Sequence, residues 1–215
     1  MGRADAVVMT VNGNEKYMYW LPFVCSHWAA IGIDPHVYLI GKVVEPAGEE
    51  LKSCTFHHVE IPSDWSEVTF AQVSRVLIPA TLTAYKNVMI SDIDSIPIDG
   101  PYWASSGGEK PGTFVNMRRK SGKTAMMGFN SAAPSTWKRV FGPAGEDSVV
   151  DAMRKWRAEG KWQDGAWNAD QQILSRELSQ DTQVVYKNPE VYKALFNERG
   201  QLLEQNFALS RRLWK

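Results

Sequence analysis

Cysteine is scarce in this sequence: only Cys25 and Cys54 occur, with no CxxC spacing. That excludes a disulfide-stapled scaffold and a cysteine-rich zinc fold. Two thiols fit a reducing compartment, with a single bridge left open. No apolar run approaches the roughly 18 residues that a membrane-spanning helix needs. The opening Met1-Gly2-Arg3-Ala4-Asp5 lacks the apolar core of a secretory signal, and Ala6 replaces the Ser or Thr that myristoylation prefers. The expectation is a cytoplasmic chain with no transmembrane segment, either one domain or one domain cut from a longer protein. Charge of one sign is also missing, since Lys plus Arg (24) balance Asp plus Glu (24). No global field would draw nucleic acid or a membrane surface. There is no internal repeat, and no histidine follows His58.

What is present suits one sizeable domain of 215 residues. The 9 tryptophans are the oddity, and most are expected in the core, where a broad ring and one N–H donor are useful. Ala6–Val11 reads as a buried strand ended by the turn signal Asn12-Gly13-Asn14. Apolar residues from Lys16 to Ile31 recur at helical spacing, with Pro22 early in that helix or kinking it. His36–Ile40 is a second strand. Strand, helix and strand make a parallel, right-handed βαβ unit. Thr55–Ile61 alternates like a third strand, on which His57 and His58 point to opposite faces and so do not chelate one ion. A helix is expected from Phe70 to Tyr85, broken or bent at Pro79. Gly100 to Lys123 reads as a long loop of the kind that serves as a substrate lid, followed by a strand over Thr124–Ser131. Helices are expected over Ser135–Phe141, Asp147–Glu159 and Gln171–Leu178. A short strand at Val184–Tyr186 and a helical tail from Pro189 to Lys215 close the chain.

The stretch Asn87-Val88-Met89-Ile90-Ser91-Asp92-Ile93-Asp94 carries the chemistry. A buried strand runs into two carboxylates that would be costly inside a core without partners. At the carboxyl end of a strand in an α/β sheet they face the crevice where such sheets bind ligands. Carboxylate oxygens are the hard ligands of Mg²⁺ or Mn²⁺, usually one or two of them together with substrate phosphates. A polar turn, or an Asp cap of the next element, would use the same residues. Arg75, on the helix before this strand, is either a surface charge or a guanidinium fork aimed at phosphate. Asp170 is either a helix-dipole charge or a functional carboxylate.

The order of these motifs resembles the GT-A class of nucleotide-sugar glycosyltransferases over residues 6 to about 180. The resemblance implies a single GT-A-like α/β domain with a Rossmann-like, mostly parallel sheet flanked by helices. Residues 1–99 would form its nucleotide-binding half, 100–180 its sugar and acceptor half, and 181–215 a helical tail. It implies a donor pocket of Thr10, Val11, Asn12, Tyr17, Arg75, Ser91, Asp92 and Ile93, with Asn130, Ser131 and Gln171 near the sugar and acceptor. Asp92 and Asp94 would hold Mn²⁺ or Mg²⁺, and Asp170 would be the base that deprotonates an acceptor hydroxyl in an inverting enzyme, or a hydrogen-bond partner of the donor sugar in a retaining one. The implied donor is a nucleotide-diphosphate sugar, with UDP-sugar favoured, and the acceptor a glycan or glycoprotein. The metal would rest on two aspartates, diphosphate oxygens and water, since no later histidine completes its site. Two other readings compete: a haloacid-dehalogenase-like phosphatase, whose Asp-x-Asp normally ends the first strand, and a non-catalytic nucleotide-sugar-binding module.

Overall fold

The computed structural model describes residues 4–97, 103, 112–116, 129–142, 148–162, 165–166 and 168–180. The fold is α/β: a six-stranded, mostly parallel mixed sheet flanked by helices. In chain order the elements are β1 (Ala6–Val11), α1 (Glu15–Met18), α2 (Leu21–Ala30), β2 (Asp34–Ile40), β3 (Thr55–Val59), α3 (Glu67–Ser74) and β4 (Val88–Ile90). There follow β5 (Phe114–Asn116), β6 (Asn130–Ala132), α4 (Pro134–Phe141), α5 (Val149–Ala158) and α6 (Ala169–Gln180).

The sheet order is β3-β2-β1-β4-β6-β5. β1, β2, β3 and β4 run parallel, whereas β6 is antiparallel to both β4 and β5. A parallel strand between two helical layers is buried on both faces, which is why β1, apart from Thr10, and β4 read as apolar runs. Their residues alternate between two cores. Val8, Val88 and Ile90 pack with Phe70, Val73, Trp137 and Trp156 from α3, α4 and α5. Val7, Met9, Val11 and Met89 pack with Val24 and Trp28 of α2. A register slip of one residue would exchange the two sets. Trp137 also gives its indole N–H to the Val88 carbonyl at 3.0 Å, so a side chain pins the start of β4.

Several boundaries differ from the sequence expectation. The single helix over Lys16–Ile31 is two helices. Asn14 caps α1 by accepting the Lys16 N–H at 3.0 Å, and the chain restarts with Pro22 in the first turn of α2, where its missing N–H costs nothing. The helix expected over Phe70–Tyr85 begins earlier, because Ser66 caps it, and ends at Ser74. Pro79 sits in a separate 3₁₀ turn, Ile78–Thr81. The Gly100–Lys123 loop contains β5, a strand too short to show a period. Of the strand expected over Thr124–Ser131, β6 covers only Asn130–Ala132, and residues 121–128 lie outside the described ones. So do the Val184–Tyr186 strand and the Pro189–Lys215 tail.

His57 and His58 do diverge. His58 meets Glu45 at the surface, 3.2 Å away. His57 stacks on Tyr38 and lies 2.9 Å from Nδ1 of buried His36, whose Nε2 lies 2.8 Å from the Tyr85 hydroxyl. That hydroxyl donates to Asp34 at 3.3 Å. With its one proton so used, His36 must donate from Nε2 and accept at Nδ1, which requires His57 to carry its proton on Nε2. In this arrangement His36, donating from one nitrogen and accepting at the other, is neutral. Burial lowers the pKa of each, and for His36 neighbouring His57 lowers it further while Asp34 partly opposes. An unfolded histidine titrates near pH ~6.5, so as pH falls the unfolded chain takes up these protons first. The stability contributed is intact above about pH 6.5 and is lost as pH drops through the lower folded values. Urea midpoints should thus fall between pH 7.5 and about 5.5, and a His36→Gln/His57→Gln double variant should show a flatter profile over that window.

Candidate functional site

The strand order reverses between β1 and β4, which makes this the switch point of the sheet, where ligands of open α/β sheets bind. A cleft of about 340 Å³ opens there, at the carboxyl ends of both strands. Thr10, Val11 and Asn12 come from the end of β1, Tyr17 from α1, and Asp92, Ile93 and Asp94 from the exit of β4. Arg75 stands at the end of α3, and Asp170 and Gln171 in the first turn of α6.

Backbone contacts set these positions. The Thr10 hydroxyl donates to the Ala71 carbonyl at 2.7 Å and so ties β1 to α3. Ser91 N–H donates to the Val8 carbonyl at 3.0 Å, carrying the β1–β4 pairing one residue past the strand. The chain then turns, with the Ser95 N–H on the Asp92 carbonyl at 3.2 Å. Beside it, Phe129 gives its N–H to Ile90 at 2.7 Å while holding φ at 57°, a left-handed conformation that costs a bulky residue about 1–3 kcal/mol. Packing of its ring on Trp103, 4.5 Å between centroids, offsets that strain.

Arg75 is the hub. Its Nη1 reaches Asp92 Oδ1 at 2.5 Å, its Nε reaches Asp170 Oδ2 at 2.9 Å, and Nη2 contacts the same Asp170 oxygen. The other Asp170 oxygen accepts the Gln171 N–H at 2.7 Å. Side-chain exposure is 14% for Arg75, 27% for Asp92 and 3% for Asp170. Burial disfavours the guanidinium charge, but the two carboxylates outweigh it and raise the Arg75 pKa above its ordinary value. Tyr17 is pushed the same way, by burial first and then by Asp94 and Asp92, with Arg75 opposing. Its phenol therefore stays a neutral proton donor.

Among the lining residues three carboxylates face one guanidinium, which leaves two negative charges in excess. Asp92 and Asp94 could offer oxygens to a hard divalent cation. No cluster of three or more potential protein ligands occurs among the described residues, so such an ion would share its remaining positions with a ligand and water.

Ten of the residues expected from the sequence meet in this cleft. Ser91, Asn130 and Ser131 are not on its wall; all three are buried. The Ser131 hydroxyl donates to the Asn87 side chain at 2.6 Å, toward the opposite end of β4. Conversely, Val68, Ala71, Gln72 and Asn168 line the cleft although the sequence reading passed over them. The first three lie on the face of α3 that carries Arg75, so extending back from Arg75 by helical spacing (i−3, i−4, i−7) finds them. The chain matches no known protein-family pattern, and no curated protein is significantly similar to it.

Removing one partner from a buried ion pair leaves an uncompensated charge. Arg75→Ala should destabilise the fold by about 3–5 kcal/mol in chemical denaturation, because Asp170 is almost wholly shielded from solvent. An Arg75→Met/Asp170→Leu double variant should recover most of that loss. A loss below about 1 kcal/mol in the single variant would mean that Asp170 regains water or another cation.

Proposed function

We propose that this chain is a metal-dependent glycosyltransferase that moves a sugar from a nucleotide-diphosphate sugar, a UDP-sugar first among candidates, to a hydroxyl of a glycan or glycoprotein. The observation that carries this is the convergence of Asp92 and Asp94 with Arg75 and Asp170 in one switch-point cleft. The motif order that resembles GT-A enzymes is thus matched by proximity in space. The two excess negative charges and the hard oxygen donors fit Mn²⁺ or Mg²⁺ held by Asp92 and Asp94. Such an ion would neutralise charge on the departing diphosphate.

The chain's own residues have defined tasks on this reading. Thr10, Val11 and Asn12 bound the donor on the β1 side, and Tyr17 presents a neutral hydroxyl to it. Arg75 offers a fork that suits phosphate as well as carboxylate. A diphosphate that attracts Arg75 would draw it from Asp92 and Asp170 together. Asp92 would then turn to the cation, and Asp170 would be exposed to an acceptor hydroxyl. Without that movement Asp170 is an anchor for Arg75, since both its oxygens are engaged. That engagement is the one feature favouring a second reading, a module that binds nucleotide sugars without consuming them.

Calorimetric titration of UDP-glucose should show binding in Mn²⁺ that EDTA abolishes. Asp94 is exposed, so Asp94→Ala should fold normally and weaken metal-dependent binding by more than tenfold. Binding of UDP-sugar without release of UDP, with or without glycan acceptors, would favour the binding module. Failure of a wider nucleotide-sugar panel to bind with either metal would overturn the transferase reading.

A further inference from the structure

Away from the cleft, the only two cysteines of the chain meet. Cys25, in the middle of α2, and Cys54, the residue before β3, are separated by 29 positions in sequence, yet their sulfurs lie 3.2 Å apart. Both are reduced, Cys25 fully buried and Cys54 half-buried. Cys54 is held in place from the other side, because its N–H donates to the Leu51 carbonyl at 2.9 Å and Leu51 is itself buried in the α2 core.

We propose that Cys25 and Cys54 form a reversible thiol–disulfide pair that a low-molecular-weight disulfide of the glutathione type oxidises. A disulfide bond is about 2.05 Å long, so roughly 1.2 Å separates the sulfurs from bonding distance. The accessibilities set the order of events. Only Cys54 can be reached from solvent, so its thiolate attacks one sulfur of glutathione disulfide. A Cys54–glutathione bond forms and one glutathione thiolate leaves. Cys25 then attacks the Cys54 sulfur, its proton passing to the second departing glutathione. Two S–H bonds are exchanged for one S–S bond, and two electrons reduce one glutathione disulfide to two thiols. The bridge links α2 to the edge of the sheet. Hydrogen bonding to Cys54, then burial, raises the Cys25 pKa, which keeps that thiol inert until Cys54 has been attacked.

The test is equilibration of the native protein with oxidised glutathione, read by thiol titration, intact mass and melting temperature. Expected are the loss of both titratable thiols, a mass lower by two hydrogens, and a rise in melting temperature on the order of 10 °C that dithiothreitol reverses. Cys25→Ala should stop at a stable mixed disulfide on Cys54, and Cys54→Ser should leave Cys25 unmodified. The proposal is overturned if the native protein keeps both thiols, or if it accumulates the mixed disulfide without the internal bond. It is equally overturned if the bridge forms only after unfolding in urea. Because the wild-type chain supplies the decisive readout, misfolding of either variant would not blunt the test.

Discussion

Everything at the cleft depends on where one guanidinium is held. Arg75 joins the end of α3, the exit of β4 and the start of α6, with Asp170 lying 95 positions away in sequence. Each of those segments is short of internal reasons to stop where it does. α3 ends at Ser74 with the Ile78–Thr81 turn following, β4 is only three residues long, and α6 starts behind Asn168, whose φ of 68° no regular element would impose. A buried charge network tolerates little error, because a guanidinium without its carboxylates is far costlier than one that never left water. The ion pairs thus act as a positional constraint on three chain ends more than as a source of net stability.

The apolar architecture makes that constraint affordable in geometric terms. Alternate residues of β1 and β4 feed two separate cores, so the central strands are clamped from both faces and their carboxyl ends emerge at a defined place. The antiparallel β6 completes β4 on its other side, and Trp137 through its indole N–H and Phe129 through its backbone N–H fix the two ends of that strand. The carboxylates are then carried on a strand that has no freedom to shift its register.

Legibility in the sequence followed the same division. Where burial dictates a long run or a clean period, as in β1, β2 and α5, the elements can be read directly. Where a local interaction decides, they cannot: nothing in a helical period announces that the chain restarts at Pro22, that Ser66 begins α3 early, or that a three-residue β5 hides in a Gly-rich stretch. At the site, Asp92, Asp94, Arg75 and Asp170 are visible as residue types at suggestive positions, but their meeting is a tertiary fact that periodicity does not contain. Asn130 and Ser131 are polar residues of β6, both buried and off the cleft wall. Here Ser131 serves a buried hydrogen bond to Asn87 instead. On α3 only Arg75 and Gln72 of the cleft-lining residues are polar, and Val68 and Ala71 beside them carry no chemical signal in the sequence.

The closed network also bears on how a ligand could enter. Asp92 is bound by Arg75, so a cation approaching alone must compete with the guanidinium for that carboxylate. A diphosphate approaching alone meets the opposite difficulty, since Arg75 is balanced by two carboxylates and the cleft carries excess negative charge. Together the two remove each other's obstacle: phosphate oxygens can take the guanidinium while the cation takes the aspartates. On the proposed reading, metal and donor would therefore bind with positive coupling, each raising the other's affinity by the same factor, as linkage requires. The origin of that coupling would be a single side chain whose partners change from carboxylate to phosphate.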